Sequence, residues 1–251
     1  MKKYKIFTVI SLIIAVSICL INCSSEQINS MDELDNSENT SNTKLENPYN
    51  YIGELHNKGL TYIYNGLKVM NFKKDGILDS VYLLYTQFIY DEGISITPEE
   101  ALYLFNMGIQ MAEYNQNSEI SLLDSVITNS ELSSEQREFL YRISNLEKAV
   151  LSLNTLKDSV AVLNSEVIEK LPDDDQMIIL AASSILIYST EYWNEHIDEW
   201  EILLNEITGG KSKEGCIVGE DIIGAIVGGI FGGWVGAIAG AVIHSAIEAI
   251  F

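Results

Sequence analysis

Ile222-Ile223-Gly224-Ala225-Ile226-Val227-Gly228-Gly229-Ile230-Phe231-Gly232-Gly233-Trp234-Val235-Gly236-Ala237-Ile238-Ala239-Gly240-Ala241-Val242-Ile243-His244-Ser245 repeats one unit, large-large-small-small. Gly224, Gly228, Gly232, Gly236 and Gly240 form one row, and Ala225, Gly229, Gly233, Ala237, Ala241 and Ser245 the row beside it. Two bulky rows fill the other positions, with Ala239 as the undersized member. Residues four apart lie along one ridge of an α-helix. The two small rows therefore make a smooth groove that a second backbone can approach closely. This is a glycine zipper.

As a strand, the same residues would mix Ile and Gly on each face, because strand side chains alternate with period two. The repeat predicts helix. Glycine costs a water-exposed helix about 1 kcal/mol per residue relative to alanine. In a bilayer the backbone must satisfy its own hydrogen bonds, so helix is the available form there. Small-xxx-small rows are also a usual packing surface of membrane helices. Ile222 to Ile243 carries no charge and would measure about 33 Å as one helix, against about 30 Å of hydrocarbon. Two readings stand: a spanning helix that packs on itself or on another copy, or a hairpin of two short Gly-rich helices buried in a soluble domain.

Lys2, Lys3 and Lys5 precede the apolar run Ile6 to Ile21, the charged and hydrophobic regions of an export signal. An uncleaved signal anchor is the alternative. Leu20-Ile21-Asn22-Cys23 resembles the lipobox of bacterial lipoproteins, with Asn22 in the place usually held by Gly, Ala or Ser. The resemblance implies cleavage after residue 22 and acylation of Cys23, with palmitate-type chains. Ser24 and Ser25 follow where an Asp would imply inner-membrane retention. The expected address is the cell envelope, lipid-anchored, at the outer membrane where the cell has one. Cys19 leaves with the signal and Cys23 carries lipid, so Cys216 has no intrachain partner. The net charge of −21 excludes a nucleic-acid footprint, which must be basic. It also keeps soluble a chain with a very apolar tail.

Residues 23–47 are rich in Asn, Ser and acidic groups and predict a lipid-anchored flexible tether. Residues 48–207 predict an acidic all-α domain, a helical bundle. Thr97-Pro98-Glu99-Glu100 and Ser133 to Gln136 both read as capping boxes. From Phe139 to Leu171 apolar residues recur every three or four positions, which predicts one long helix or two in series, stopped by Pro172. Asp173, Asp174 and Asp175 favour the start of a last helix. Its apolar run Met177 to Tyr188 is too short to span a membrane and predicts the buried centre of the bundle. Glu46 to Leu60 resembles the opening of uncharacterised exported bacterial proteins, which implies no activity.

Residues 208–215 predict a linker and candidate cleavage joint, and residues 216–251 a membrane-active glycine-zipper segment. Leu203 to Gly210, with Leu204 and Ile207 ahead of Gly209-Gly210, resembles the end of a double-glycine leader from unmodified peptide bacteriocins. That resemblance implies cleavage after Gly210 and release of Lys211 to Phe251, a pore-forming peptide. Such leaders normally stand at the N-terminus, and most membrane-active bacteriocins are basic, whereas this segment is acidic. Lys211 and Lys213 offer a second cleavage point, for an activating protease of Lys/Arg specificity. A plain Gly-Gly helix stop is the structural alternative.

Catalysis finds little support. His56, His196 and His244 lie far apart in the chain. His196 and Glu199, at i and i+3, could share an ion, but the carboxylate-rich di-iron pattern needs a second such pair. Glu54 and His56 do not share a helix face. No catalytic residue, metal ligand or cofactor is expected. The residues singled out are Cys23 for lipidation, the zipper glycines for packing, and Gly209, Gly210, Lys211 and Lys213 for cleavage. The sequence points to an exported carrier of a latent pore-forming segment, with membrane lipid and further copies of the zipper as partners. The alternative is an envelope lipoprotein whose zipper is a second anchor or an oligomerisation helix.

Overall fold

The computed structural model describes residues 46–70, 76–117, 122–149, 151–208 and 217–250. The described residues form helices and connecting turns, with no strand among them: α1 Asn50–Val69, α2 Ile77–Asp91, α3 Pro98–Asn117, α4 Leu122–Asn129, α5 Ser134–Lys148, α6 Leu153–Lys170, α7 Asp173–Thr208 and α8 Ile217–Ile250. The architecture is all-α, as the periodicity predicts. Cys23 and most of the expected tether lie outside the described residues, as do Gly209, Gly210, Lys211, Lys213 and Cys216.

Local chemistry explains where several helices start. Thr97 and Glu100 exchange side-chain and backbone hydrogen bonds, Glu100 N donating to Thr97 Oγ1 (3.2 Å) and Thr97 N to Glu100 Oε2 (2.8 Å). Ser133 and Gln136 form the same reciprocal box at the start of α5. Both occupy orphan groups at helix ends that have no partner within the helix. The long run from Phe139 to Leu171 resolves into two helices. The chain leaves α5 at Ala149 in an extended conformation, and Ser152 caps α6 by accepting from Thr155 N. Asn47, the last residue of the expected tether, is buried. Its amide donates to Leu180 O (2.8 Å) and Ser183 Oγ (3.3 Å), while Oδ1 accepts from Tyr49 N (2.8 Å). This pins the entry to α1 against α7.

α7 runs through the middle of the molecule. Ile179, Leu180, Ala181, Ala182 and Ile185 lose all solvent contact, so the short apolar run is the buried centre it predicts. α8 packs against α7 and also against α1 to α5. Its Ile226, Ile238, Val242, Ile243 and Ile247 are fully buried. Each such side chain contributes about 1.5–3 kcal/mol of transfer free energy. The zipper is thus a structural centre of the bundle rather than an appendage to it.

Candidate functional site

α8 is two helices joined by a reversal. Gly232 (φ −133°, ψ 15°) and Gly233 (φ 58°, ψ −148°) leave helical geometry and fold the C-terminal arm back on the first. The backbone angles of Gly233 belong to a region that side chains strongly resist, so the turn needs glycine there. The zipper is therefore a hairpin, and its glycine row closes on itself. A methyl group at Gly224 would collide with the Gly240 carbonyl, and one at Gly228 with the Gly236 carbonyl. The reverse holds for Gly236 and Gly240. These four glycines let backbone meet backbone. Gly229, in the neighbouring row, has room for ordinary contact: a Cβ there would lie 3.6 Å from Ala237 Cβ and Ile178 Cγ1. A Cβ at Gly232 or Gly233 would meet open space, so these two serve the turn instead. Beside that turn Trp234 is 41% exposed and meets Tyr51 edge to face, the ring centroids 6.0 Å apart.

The open end of the hairpin carries its polar residues. Asp221, on the first arm, is fully buried. Its Oδ2 accepts from Ser189 Oγ (2.5 Å) and Trp193 Nε1 (3.0 Å), both on α7. His56 Nε2, from α1, lies 3.4 Å from the same oxygen. Asn57 Nδ2 donates to Tyr188 O (2.8 Å), which turns Asn57 Oδ1 toward His56 Nδ1 at 3.0 Å. With Asn57 Oδ1 as acceptor, His56 Nδ1 is the donor of that bond. Asp221 is thus the junction of α1, α7 and α8.

His244, on the second arm, is also fully buried. Its Nε2 lies 3.5 Å from Glu220 Oε2 and 3.8 Å from Glu248 Oε1. Neither ring nitrogen completes a hydrogen bond of good geometry, although the Glu220 backbone lies close to the ring. Burial holds the imidazole neutral, pushing its pKa down to about 4 against the opposing pull of the Asp221 carboxylate and the Glu220 backbone.

The sequence reading left His56 and His244 apart, and the fold brings both to Asp221. A signal for this does exist. Asp221 and His244 stand at mirror positions about the Gly232–Gly233 turn, visible once the zipper is drawn as a hairpin. Ser189, Asp221 and His56 do not reproduce the order that activates a nucleophile, in which imidazole stands between hydroxyl and carboxylate. Here the carboxylate is central and all three groups are buried. His196 Nδ1 and Glu199 Oε2 are 3.5 Å apart on the exposed side of α7, a surface pair remote from this cluster in character.

No family model matches the chain, and neither a curated protein nor a solved structure is similar to it. Among the described residues one helical segment, Gly232–Ile250, is long and apolar enough to cross a membrane by length and composition, and 72% of its apolar window is buried inside the bundle.

Proposed function

We propose that the protein is an exported lipoprotein that stores a membrane-inserting helix in soluble form and, on release, permeabilises a target membrane. The observation that carries this reading is the fold of α8: a charge-free glycine zipper bent at Gly232–Gly233 and enclosed by an acidic helical jacket. As a hairpin, the apolar stretch from Ile222 to Phe231 would reach only about 15 Å at 1.5 Å per residue. Straightened at the glycine turn, Ile222 to Ile243 would reach about 33 Å and cross the hydrocarbon. The four-residue repeat keeps its phase through the turn, so the straight helix would present one continuous small face. That face, which now pairs within the hairpin, would pair with another copy.

Release would follow cleavage near Gly209-Gly210 or Lys211 and Lys213, or unfolding of the jacket. Synthetic Lys211–Phe251 is expected to release dye from liposomes at micromolar concentration, and absence of release would sink this reading. The self-complementary glycine row also supports a second reading, an envelope lipoprotein that oligomerises through the zipper or uses it as a second anchor. Blotting both ends of the native protein separates the two. Separate fragments support the latent pore-former; a full-length mature chain in membranes supports the structural lipoprotein.

A further inference from the structure

His244 is a buried imidazole with two ring nitrogens that complete no hydrogen bond of good geometry, set between two carboxylates. The oxygens of Glu220 and Glu248 and the nitrogen of His244 all lie within 4.8 Å of one another. At 3.5 and 3.8 Å, the two nitrogen–oxygen separations exceed those of good hydrogen bonds. They approach the edge of a tetrahedron around a metal ion, about 3.4 Å when each ligand bond is 2.0–2.1 Å. Both carboxylates therefore stand from the imidazole at about the separation of two ligands on one ion.

Their placement follows from the hairpin. His244 and Glu248 are four residues apart and share one face of the second arm. Glu220 comes from the first arm, and the backbone contact at Gly224 and Gly240 draws the two arms close enough for these side chains to meet. We propose that Glu220, His244 and Glu248 bind a divalent transition ion of the Zn2+ class, which fastens the open end of the α8 hairpin. One neutral imidazole with two carboxylates is a borderline nitrogen–oxygen donor set, suited to Zn2+ or a neighbouring first-row ion rather than to a soft one. The buried Asp221 carboxylate facing His244 adds negative potential that favours a cation. The ion would close the hairpin at the end opposite the glycine turn. This site goes beyond the membrane reading and does not depend on it.

The test uses the purified full chain, stripped with chelator and titrated with Zn2+, then with Co2+ as a coloured probe. One ion per chain is expected, with visible Co2+ absorption of nitrogen–oxygen coordination and a rise in thermal midpoint. Glu220→Gln and Glu248→Gln should each weaken Zn2+ binding at least about tenfold, the lower end of what even outer ligand supports are worth. Both variants should keep the helical circular dichroism of the chelated protein. His196→Ala, at the surface pair, should leave binding unchanged. Absence of a stoichiometric ion, several weak ions indifferent to both glutamine variants, or loss of binding in His196→Ala would each overturn the proposal. Should a glutamine variant fail to fold, the ion count and Co2+ spectrum of the unaltered chain decide. No membrane enters these measurements, so their failure and that of the liposome experiment remain distinct.

Discussion

α7 and α8 are nearly equal in length, 36 and 34 residues, yet one runs straight and the other folds in half. α7 has an apolar stretch of limited extent and then spreads Glu191, Glu195, Asp198, Glu199, Glu201 and Glu206 along its second half, where they reach water. Its second half keeps Trp193, Trp200 and Leu204 buried on one face and turns these acidic groups to water on the other. α8 has no such half. Its three acidic residues, Glu220, Asp221 and Glu248, gather with His244 at one end, and the rest is apolar. A straight α8 would extend about 51 Å and carry apolar rows beyond the cover of its neighbours. Folding at Gly232–Gly233 keeps both arms inside. Charge distribution decides whether a long helix may be straight in water, and glycine decides where it bends.

The largest effect should come from closing the space between the arms of α8. Gly236→Leu places a side chain against the Gly228 backbone, which cannot move without separating the hairpin. Urea denaturation should show a loss of about 3 kcal/mol or more, and a change under 1 kcal/mol would refute the backbone contact. Next comes the bend. Gly233→Ala forces alanine into glycine-only angles and should lose stability toward the upper end of about 1–3 kcal/mol, again by denaturant midpoint.

Inserting glycines into α7 sharpens the contrast. Asn194→Gly with Glu195→Gly, both at exposed positions, should cost about 2 kcal/mol together and leave α7 straight. Hydrogen exchange that stays protected on both sides of the pair would establish this, because glycine permits a bend only where burial demands one. Gly229→Ala tests the neighbouring row. Its Cβ finds room and the helix gains propensity, so a gain of up to about 1 kcal/mol is expected in the same denaturation assay.

The smallest effect lies in the jacket. Arg142 donates two hydrogen bonds to Glu166 (3.0 and 2.9 Å), and Lys170 donates one at 2.9 Å. Together they lower the Glu166 pKa to about 2. A depressed carboxyl stabilises the fold above its unfolded pKa near 4.5, and that contribution fades as pH falls toward 2. Because both side chains keep about a third of their surface in water, solvent screens the pair and its worth is under about 1 kcal/mol. Glu166→Gln should flatten the pH dependence of stability between those limits and leave α8 untouched.

Much of this molecule is legible in its residues. The caps at Thr97 and Ser133 declare themselves through oxygen side chains at the right distance from Glu and Gln. The break between α5 and α6 does not, because Leu146, Val150, Leu153 and Leu156 continue the helical spacing across it, and Ser152 has no Glu or Gln three residues on. The zipper announces helices and close packing, and leaves open whether the groove meets another copy or itself. A four-residue repeat is invariant to that choice; only the angles of Gly233 settle it. The cluster at Asp221 is harder still. His56, Ser189 and Trp193 reach it from helices distant in the chain, and no local pattern records that convergence.

The placement of α8 also sets the order of assembly. The last helix in the chain is the one around which α1 to α5 and α7 close. Until α8 is in place, α7 and α3 lack an arm they pack against, and the apolar faces that meet it stay open. Such long-range contacts slow folding and expose the chain meanwhile. The bundle thus closes only when α8 fills the space the other helices hold for it.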